Sequence, residues 1–422
     1  MSTTVQPAAA LPIASTRWVQ LGLGLICMMA ISSPQYVWTL FTKPLGISLN
    51  ATASQVQTTF AILIVLQTFF SPFQGWLVER FGPRLLIASG AALTGLSWVL
   101  AAQATTLWGL YATYGLLGGL GTGIVYVGVV GQMVAWFPDR RGFAVGVVAA
   151  GYGIGAMLTN FPIDDSLKAN GYGPTLVKFG LILGAIGVIA ALGLRPAPPA
   201  LVAQTRQRSG IADVDTPTML RQPLFWLMFA MMTLMATSGL MVTAQIVPFA
   251  NDLGIGKLVI AGFAAIPLIL TVDRLCNGLT RPFFGWVSDH IGRENTMILA
   301  FGFEGLAMAA WLATMGNPVL FVLLSGVVFF GWGEIFSLFP STLTDTFGTE
   351  HATKNYGCLY MAQGIGAIFG GPLASLLHDY AGSWTPVFSL AIGADLLTAA
   401  FALLLLKPMR ARYLARASYL VK

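Results

Sequence analysis

Charge is the scarcest property of this 422-residue sequence. Lys, Arg, Asp and Glu together make up 9% of it, where a soluble domain carries about 25%. That deficit excludes a solvated globule. Cysteine is nearly missing too. Cys27, Cys276 and Cys358 all fall in apolar runs without C-x-x-C spacing, which argues against a disulfide framework or a thiolate cluster and leaves buried thiols. His290, His351 and His378, the three histidines, fall at the ends of apolar runs or between them. So few, so placed, they make no metal centre or catalytic triad. No Walker-type loop or cofactor motif is present, so neither a cofactor nor an enzyme is expected. Acidic residues are fewer than basic ones, leaving a net charge of +6. The basic residues are scattered through short loops, not gathered in a patch, which speaks against nucleic acid as a partner and for a membrane.

What fills the chain is hydrocarbon: 56% of its residues are hydrophobic. A spanning helix needs roughly 20 apolar residues, and about twelve such runs can be placed on that length rule. They cover 17–42, 54–79, 85–104, 107–135, 142–163, 172–195, 223–250, 258–287, 295–314, 318–344, 353–377 and 384–407. The first is too long for a signal-peptide core and reads as a retained span. RPAPPALVAQTRQRSGIADVDTPTMLRQP is the longest polar stretch, rich in Pro and charge, and reads as a linker. The expected fold is therefore an all-α membrane protein of twelve transmembrane helices in two pseudo-symmetric six-helix halves. The N-terminal half covers 1–195, the linker 196–222, and the C-terminal half with its short tail 223–422.

Lysine and arginine counting sets the orientation. Arg17, Arg80, Arg84, Arg140, Arg141, Arg206, Arg208, Arg221, Arg293, Lys354, Arg410 and Arg412 fall on one side; the other holds mainly Lys43, Lys168, Lys178 and Lys257. Both termini and the linker are expected to be cytoplasmic. The halves also repeat. GWLVERFGPR from Gly75 and GWVSDHIGR from Gly285 lie 210 residues apart, each after the second helix of its half. Gly75, Glu79, Arg80 and Gly82 match Gly285, Asp289, His290 and Gly292, with Arg293 closing the second loop. The glycines suit a tight turn and close helix contact, and the acids can accept hydrogen bonds from neighbouring helix ends. Asp139 and Arg140, in the loop WFPDRRG, join these as candidate conformational residues. Stripes such as Gly115, Gly119 and Gly123 suit close helix packing or sliding.

Arg281 is the residue least expected in such a chain. It stands in TVDRLCNGLTRPFFGW, inside an apolar run, where a charge costs at least about 2.5–3.5 kcal/mol and usually faces a cavity. A guanidinium fork matches a carboxylate, so an anion is the expected partner; a helix-end ion pair is the competing reading. Arg274 lies seven residues earlier, nearly the same helix face. It is either a second substrate charge or the partner of Asp273 or Glu334. Glu334, within GWGEIFS, is either a coupling group for protons or a partner for a neighbouring polar group. Mid-helix tyrosine hydroxyls need partners in a dry bilayer, so Tyr126 and Tyr152 read as lining; Tyr36, Trp332 and Tyr360 read as lining or core. Gln57, Gln363 and Asn277 are neutral hydrogen-bonders near mid-span.

Beyond this, the chain resembles the major facilitator superfamily and, within it, the oxalate/formate antiporter family, related to the monocarboxylate transporters. QYVWTLF, GIVYVGVVGQMVAWFPDRRG, AAGYGIG, NGLTRPFFGWVSDHIGR, FFGWGEIFSLFPST and NYGCLYMAQGIGAIFGG carry the likeness. The resemblance implies a central anion site enclosed by both halves. It implies Tyr36, Gln57, Tyr126 and Tyr152 as N-half lining, Arg281 as the holder of a substrate carboxylate and Trp332 as an aromatic closing the cavity. Three positions depart: Gln363 stands where the family's oxalate transporter has a lysine, Phe336 where it has a tyrosine, Tyr360 where it has a tryptophan. Losing the lysine leaves a dianion half neutralised and suits a monoanion.

The function expected is secondary transport of small organic anions by alternating access, through oxalate/formate exchange or proton-coupled monocarboxylate uptake. A membrane anion sensor is the alternative of another class, against which the short tails argue. A bacterial inner membrane and a functional monomer are expected.

Overall fold

The computed structural model describes residues 11–199, 201 and 213–420, and they are almost wholly helical. Hydrocarbon offers the backbone no water, so each apolar run closes its own hydrogen bonds as helix. In chain order these are α1 (Leu11–Ala30), α2 (Ser33–Tyr36), α3 (Trp38–Ser48), α4 (Ala53–Phe69), α5 (Ser71–Phe81), α6 (Pro83–Ala101), α7 (Leu107–Leu110), α8 (Gly118–Trp136), α9 (Arg141–Asn170) and α10 (Tyr172–Leu192). After the linker come α11 (Thr216–Leu220), α12 (Pro223–Asp252), α13 (Ala265–Ile291), α14 (Arg293–Ala313), α15 (Pro318–Trp332), α16 (Ile335–Phe347), α17 (Ala352–Ala381), α18 (Thr385–Phe401) and α19 (Lys407–Leu420). Tyr111–Leu117 and Ala402–Leu406 are π-helical turns continuous with their neighbours. Of the linker, 200 and 202–212, with Arg206 and Arg208, lie outside the described residues.

Among the described residues nine helices are long and apolar enough to cross a bilayer. Two bent pairs bring the number to eleven: Thr16–Tyr36 with Trp38–Ser48, at 44°, and Gln55–Phe69 with Ser71–Phe81, at 53°. The remaining span expected from the sequence, 258–287, differs in two ways. Its helix, α13, begins only at Ala265. Ahead of it, β1 (Val259–Ile260) and β2 (Phe263–Ala264) pair antiparallel, turning through Ala261 and Gly262 at φ 51° and 85°. Two consecutive positive φ values make a hairpin turn whose twist matches that of its strands. Apolarity alone does not reveal a hairpin. Second, α13 is as long as its neighbours but carries Asp273, Arg274, Arg281 and Asp289, too polar to pass as a lipid-facing span. Charges of this kind persist where a helix borders a polar cavity.

The halves meet where α9 packs on α13 and where α4 and α5 pack on α17. Glycine makes the approach close. A β-carbon on Gly146 of α9 would lie 2.8 Å from Pro282 Cα, and one on Gly357 of α17 would lie 2.8 Å from Pro72 N. These contacts sit level with Arg281 or toward the end of α13 that leads into the GWVSDHIGR loop, here termed the motif face. The face where α13 begins is termed the entry face.

Candidate functional site

α13 rises about 40 Å over its length at 1.5 Å per residue, and Arg281 stands a little beyond its middle. The residue is 2% exposed. Its Nη1 donates to the Ala149 carbonyl of α9 at 2.6 Å, across the boundary between halves. Its Nη2 donates to Asn277 Oδ1 at 2.9 Å, one turn back on the same helix. Its Nε has no partner. Both acceptors are neutral, so the guanidinium is not the member of a helix-end ion pair. The Phe336 ring lies beneath it, 4.6 Å from the guanidinium carbon. Glu334, wholly buried with both carboxyl oxygens unpartnered, is close enough to feel the charge of Arg281.

The break between α15 and α16 places these groups. Gly333 sits in it, where a β-carbon would meet the Asn277 carbonyl at 2.6 Å, and Thr280 Oγ1 donates to the Phe330 carbonyl at 2.5 Å. The interrupted helix therefore presses Phe336 and Glu334 toward Arg281 while Asn277 holds the guanidinium.

Opposite Arg281 the tyrosines form a continuous line. Tyr36 meets Tyr152 edge-on at 5.4 Å, Tyr152 meets Tyr126 at 5.4 Å, and Tyr126 stacks on Tyr360 of the other half at 4.7 Å. Tyr360 continues to Tyr356 at 5.7 Å. The Tyr152 hydroxyl donates to Gln35 Oε1 at 2.7 Å, and Gln67 Nε2 donates to the Tyr360 hydroxyl at 3.1 Å. The Tyr126 hydroxyl, buried, has no hydrogen-bond partner. Gln363 is 9% exposed with Oε1 unpartnered. It lies three residues after Tyr360 and seven after Tyr356, on the same face of α17.

Two residues of the sequence reading stand apart from this cluster. Gln57 lies in the first turns of α4, exposed, and accepts from Trp38 Nε1 at 2.5 Å. The amides that join the tyrosines are instead Gln35 and Gln67. Trp332 donates through Nε1 to the Met235 carbonyl at 3.1 Å and packs on Gly239, so it braces Phe336 from behind at 6.1 Å. Asp273 and Arg274 diverge as neighbouring helix positions must. Asp273, 3% exposed, is turned toward Ser325 of α15. Arg274 projects the other way, its guanidinium 5.5 Å from the Tyr36 ring. Residues the sequence reading did not single out are Gln35, Gln67, Tyr356 and Ala149. Gln67 had a signal, a lone amide in the run ILIVLQTFF; Ala149 contributes only a backbone carbonyl and had none.

The motif face is locked twice by one device. Asp289 accepts from the backbone amides of Gly142 and Phe143, at 3.0 and 2.9 Å, in the first turn of α9. Glu79 accepts from the backbone amide of Lys354 at 2.9 Å, in the first turn of α17. Each acid thus caps a helix of the opposite half, satisfying amides that a helix start leaves open and meeting the positive end of its dipole. Gly75 and Gly285 permit the approach: a β-carbon on Gly75 would lie 2.7 Å from the Thr353 carbonyl oxygen, one on Gly285 would fall on the Gly142 carbonyl. Gly82 and Gly292 turn the chain at φ 89° and 92°, a region that favours glycine. Arg293 binds Asp289 at 2.6 Å and Asp345 at 2.8 Å, and Arg141 of α9 pairs with the same Asp345. Asp139 pairs with Arg17 at 3.0 Å and with Arg140 at 3.8 Å, while Arg80 is exposed.

Comparison with known proteins follows this geometry. The family model described as Major Facilitator Superfamily matches residues 21–272 and 264–417. The oxalate:formate antiporter of Oxalobacter formigenes is 35% identical over 374 residues, covering 88% of this chain and 87% of its own. Monocarboxylate transporter 13 of Bos taurus is 26% identical, over 82% of this chain and 78% of its own. Among solved structures, the proton:xylose symporter XylE superposes with a TM-score of 0.74 over 93% of this chain and 96% of its own, at 13% identity. That last likeness concerns the fold alone.

Proposed function

The chain belongs to the major facilitator superfamily, and we propose that it carries small carboxylates across the membrane by alternating access, one anion at a time held at Arg281. It is a secondary transporter of small organic anions and not an enzyme, as its relatives and fold indicate. The observation that carries the reading is the state of Arg281: buried midway between the halves, bonded only to neutral acceptors, with its Nε–H unpartnered. A buried cation without a bonded counter-ion is costly, and an incoming carboxylate supplies it in the bidentate geometry the fork favours. The unpartnered Tyr126 hydroxyl and Asn277 Nδ2 offer further donors. The name of the oxalate:formate antiporter supports carboxylates as the class.

The same bond suggests how binding moves the protein. Nη1 of Arg281 holds the halves together through Ala149. A carboxylate that takes Nη1 and Nη2 releases that tie, leaving the caps of Asp289 and Glu79 and the Arg141–Asp345 pair to open next. Exchange follows if the empty carrier, with its buried charge restored to Ala149, crosses poorly. On this reading the motif face, with both termini and the linker, is cytoplasmic, the setting is a bacterial inner membrane, and a monomer of two six-helix halves, 1–195 and 223–422, suffices.

One guanidinium and a neutral Gln363 balance a monoanion better than a dianion. Gln363→Lys is therefore expected to raise the preference for oxalate over formate about tenfold or more, a charge-assisted hydrogen bond being worth about 1.5–3 kcal/mol. Uptake of each labelled anion into proteoliposomes preloaded with unlabelled anion measures it, and an unchanged ratio would place Gln363 outside the site. A second reading, proton-coupled uptake, draws on Glu334, unpartnered beside Arg281. Under it Glu334→Gln abolishes stimulation by a pH gradient while homoexchange persists. Under exchange, wild type shows no such stimulation.

A further inference from the structure

Arg274 is a charge for which the central site has no use. Seven residues from Arg281, it lies about 10 Å nearer the entry face. Side chains of a helix lean toward its N-terminus, so both guanidinium groups shift the same way and the separation persists. Each guanidinium is directed to its own partners, that of Arg281 to the Ala149 carbonyl and Asn277, that of Arg274 to Tyr36. Arg274 is nevertheless not a lipid-facing charge. Its guanidinium lies 5.5 Å from the ring of Tyr36, and Tyr36 belongs to the other half, so the side chain reaches across the space between halves. Asp273, its neighbour, is buried toward Ser325, about 100° round the helix. Among the described residues no carboxylate pairs with Arg274. The group it meets is the π-face of Tyr36, and Asp273, though turned toward Ser325, is near enough to feel its charge without bonding to it. The tyrosines then run without interruption from Tyr36 through Tyr152 to Tyr126, beside Arg281.

We infer that Arg274, with Tyr36, forms a second anion site between the entry face and the centre, which takes the carboxylate first and passes it along the tyrosine line to Arg281. This rests on the central site at Arg281. An exposed cation on the path from the entry face to the centre raises the local anion concentration, and its influence weakens with ionic strength over a Debye length of about 8–10 Å. The site therefore acts on capture from one face only.

The test is transport of labelled formate, oxalate and lactate by right-side-out and inside-out membrane vesicles containing the full chain. Arg274→Gln is expected to raise KM about 5- to 10-fold at the entry face, to leave KM at the motif face unaltered, and to remove the salt dependence of entry-face KM seen in wild type. Arg274→Lys keeps the salt dependence. Arg412→Gln, which removes an exposed charge from α19, alters neither KM. Equal changes in KM at both faces, or a salt dependence that survives Arg274→Gln, would overturn the inference while leaving Arg281 in place. Undiminished transport by Arg281→Gln, or none of the three anions carried by wild type, would overturn the central reading and this one with it.

Discussion

Arg281→Gln is expected to reduce carboxylate exchange at least about a hundredfold. The anion loses two charge-assisted bonds worth about 1.5–3 kcal/mol each, and every 1.4 kcal/mol is tenfold in affinity. Arg281→Lys is expected to recover little. Ammonium keeps the charge but not the planar fork, and it cannot hold Asn277 Oδ1 and the Ala149 carbonyl together as the guanidinium does. Phe336, 4.6 Å below, also loses its flat cationic partner. Because the substitution frees a backbone carbonyl in the interior, the purified variants should be compared by gel filtration and thermal unfolding in detergent. A folded Arg281→Lys that exchanges at the wild-type rate would show that charge alone suffices and that bidentate recognition is not the basis of binding.

Gly285→Ala is expected to cost transport at least tenfold through conformation, leaving the binding groups in place. The added methyl would fall on the Gly142 carbonyl and come within 3.0 Å of the Phe143 nitrogen, between the two amides that Asp289 caps. Backbone on both sides leaves nothing flexible to yield, so the strain belongs at the upper end of the 1–3 kcal/mol typical of overpacking. That shifts a two-state equilibrium by about 10- to 100-fold toward an open motif face. A cysteine placed at Ser288, buried in this closed face, should then react with a maleimide markedly faster in the alanine background. Gly75→Ala is expected to act in the same direction, since its methyl would meet the Thr353 and Lys354 backbone at 2.7 and 2.8 Å. Unchanged labelling with lost transport would instead point to damage at the anion site.

The two predictions differ in how far the sequence alone supports them. The pairing of Asp289 and Glu79 with helix starts of the opposite half follows from a repeat visible in the chain, because loops that recur 210 residues apart meet equivalent helices. The lining of the chamber does not follow in this way. Gln57 and Gln67 sit on the same helix and are equally polar, but ten residues turn the helix through about 1000°, which points them to different sides. Only one of those sides faces Tyr360. In helices that are apolar nearly all round, no alternation of polar and apolar faces tells which side is the cavity, and the bend of 53° after Phe69 resets the phase again.

The sequence by itself determined the membrane class, the nearly all-helical fold, the twofold repeat and the presence of one arginine that hydrocarbon does not tolerate without a purpose, because each follows from the cost of moving charge or an open peptide group out of water. Tertiary structure alone decided that Arg281 leans on a carbonyl of the other half, that Arg274 crosses to Tyr36 while Asp273 turns away, that Trp332 braces Phe336 from behind, and that 259–264 turns as a hairpin. Those outcomes depend on the rotation of each helix against its neighbours, and rotation is set by packing between residues far apart in the chain.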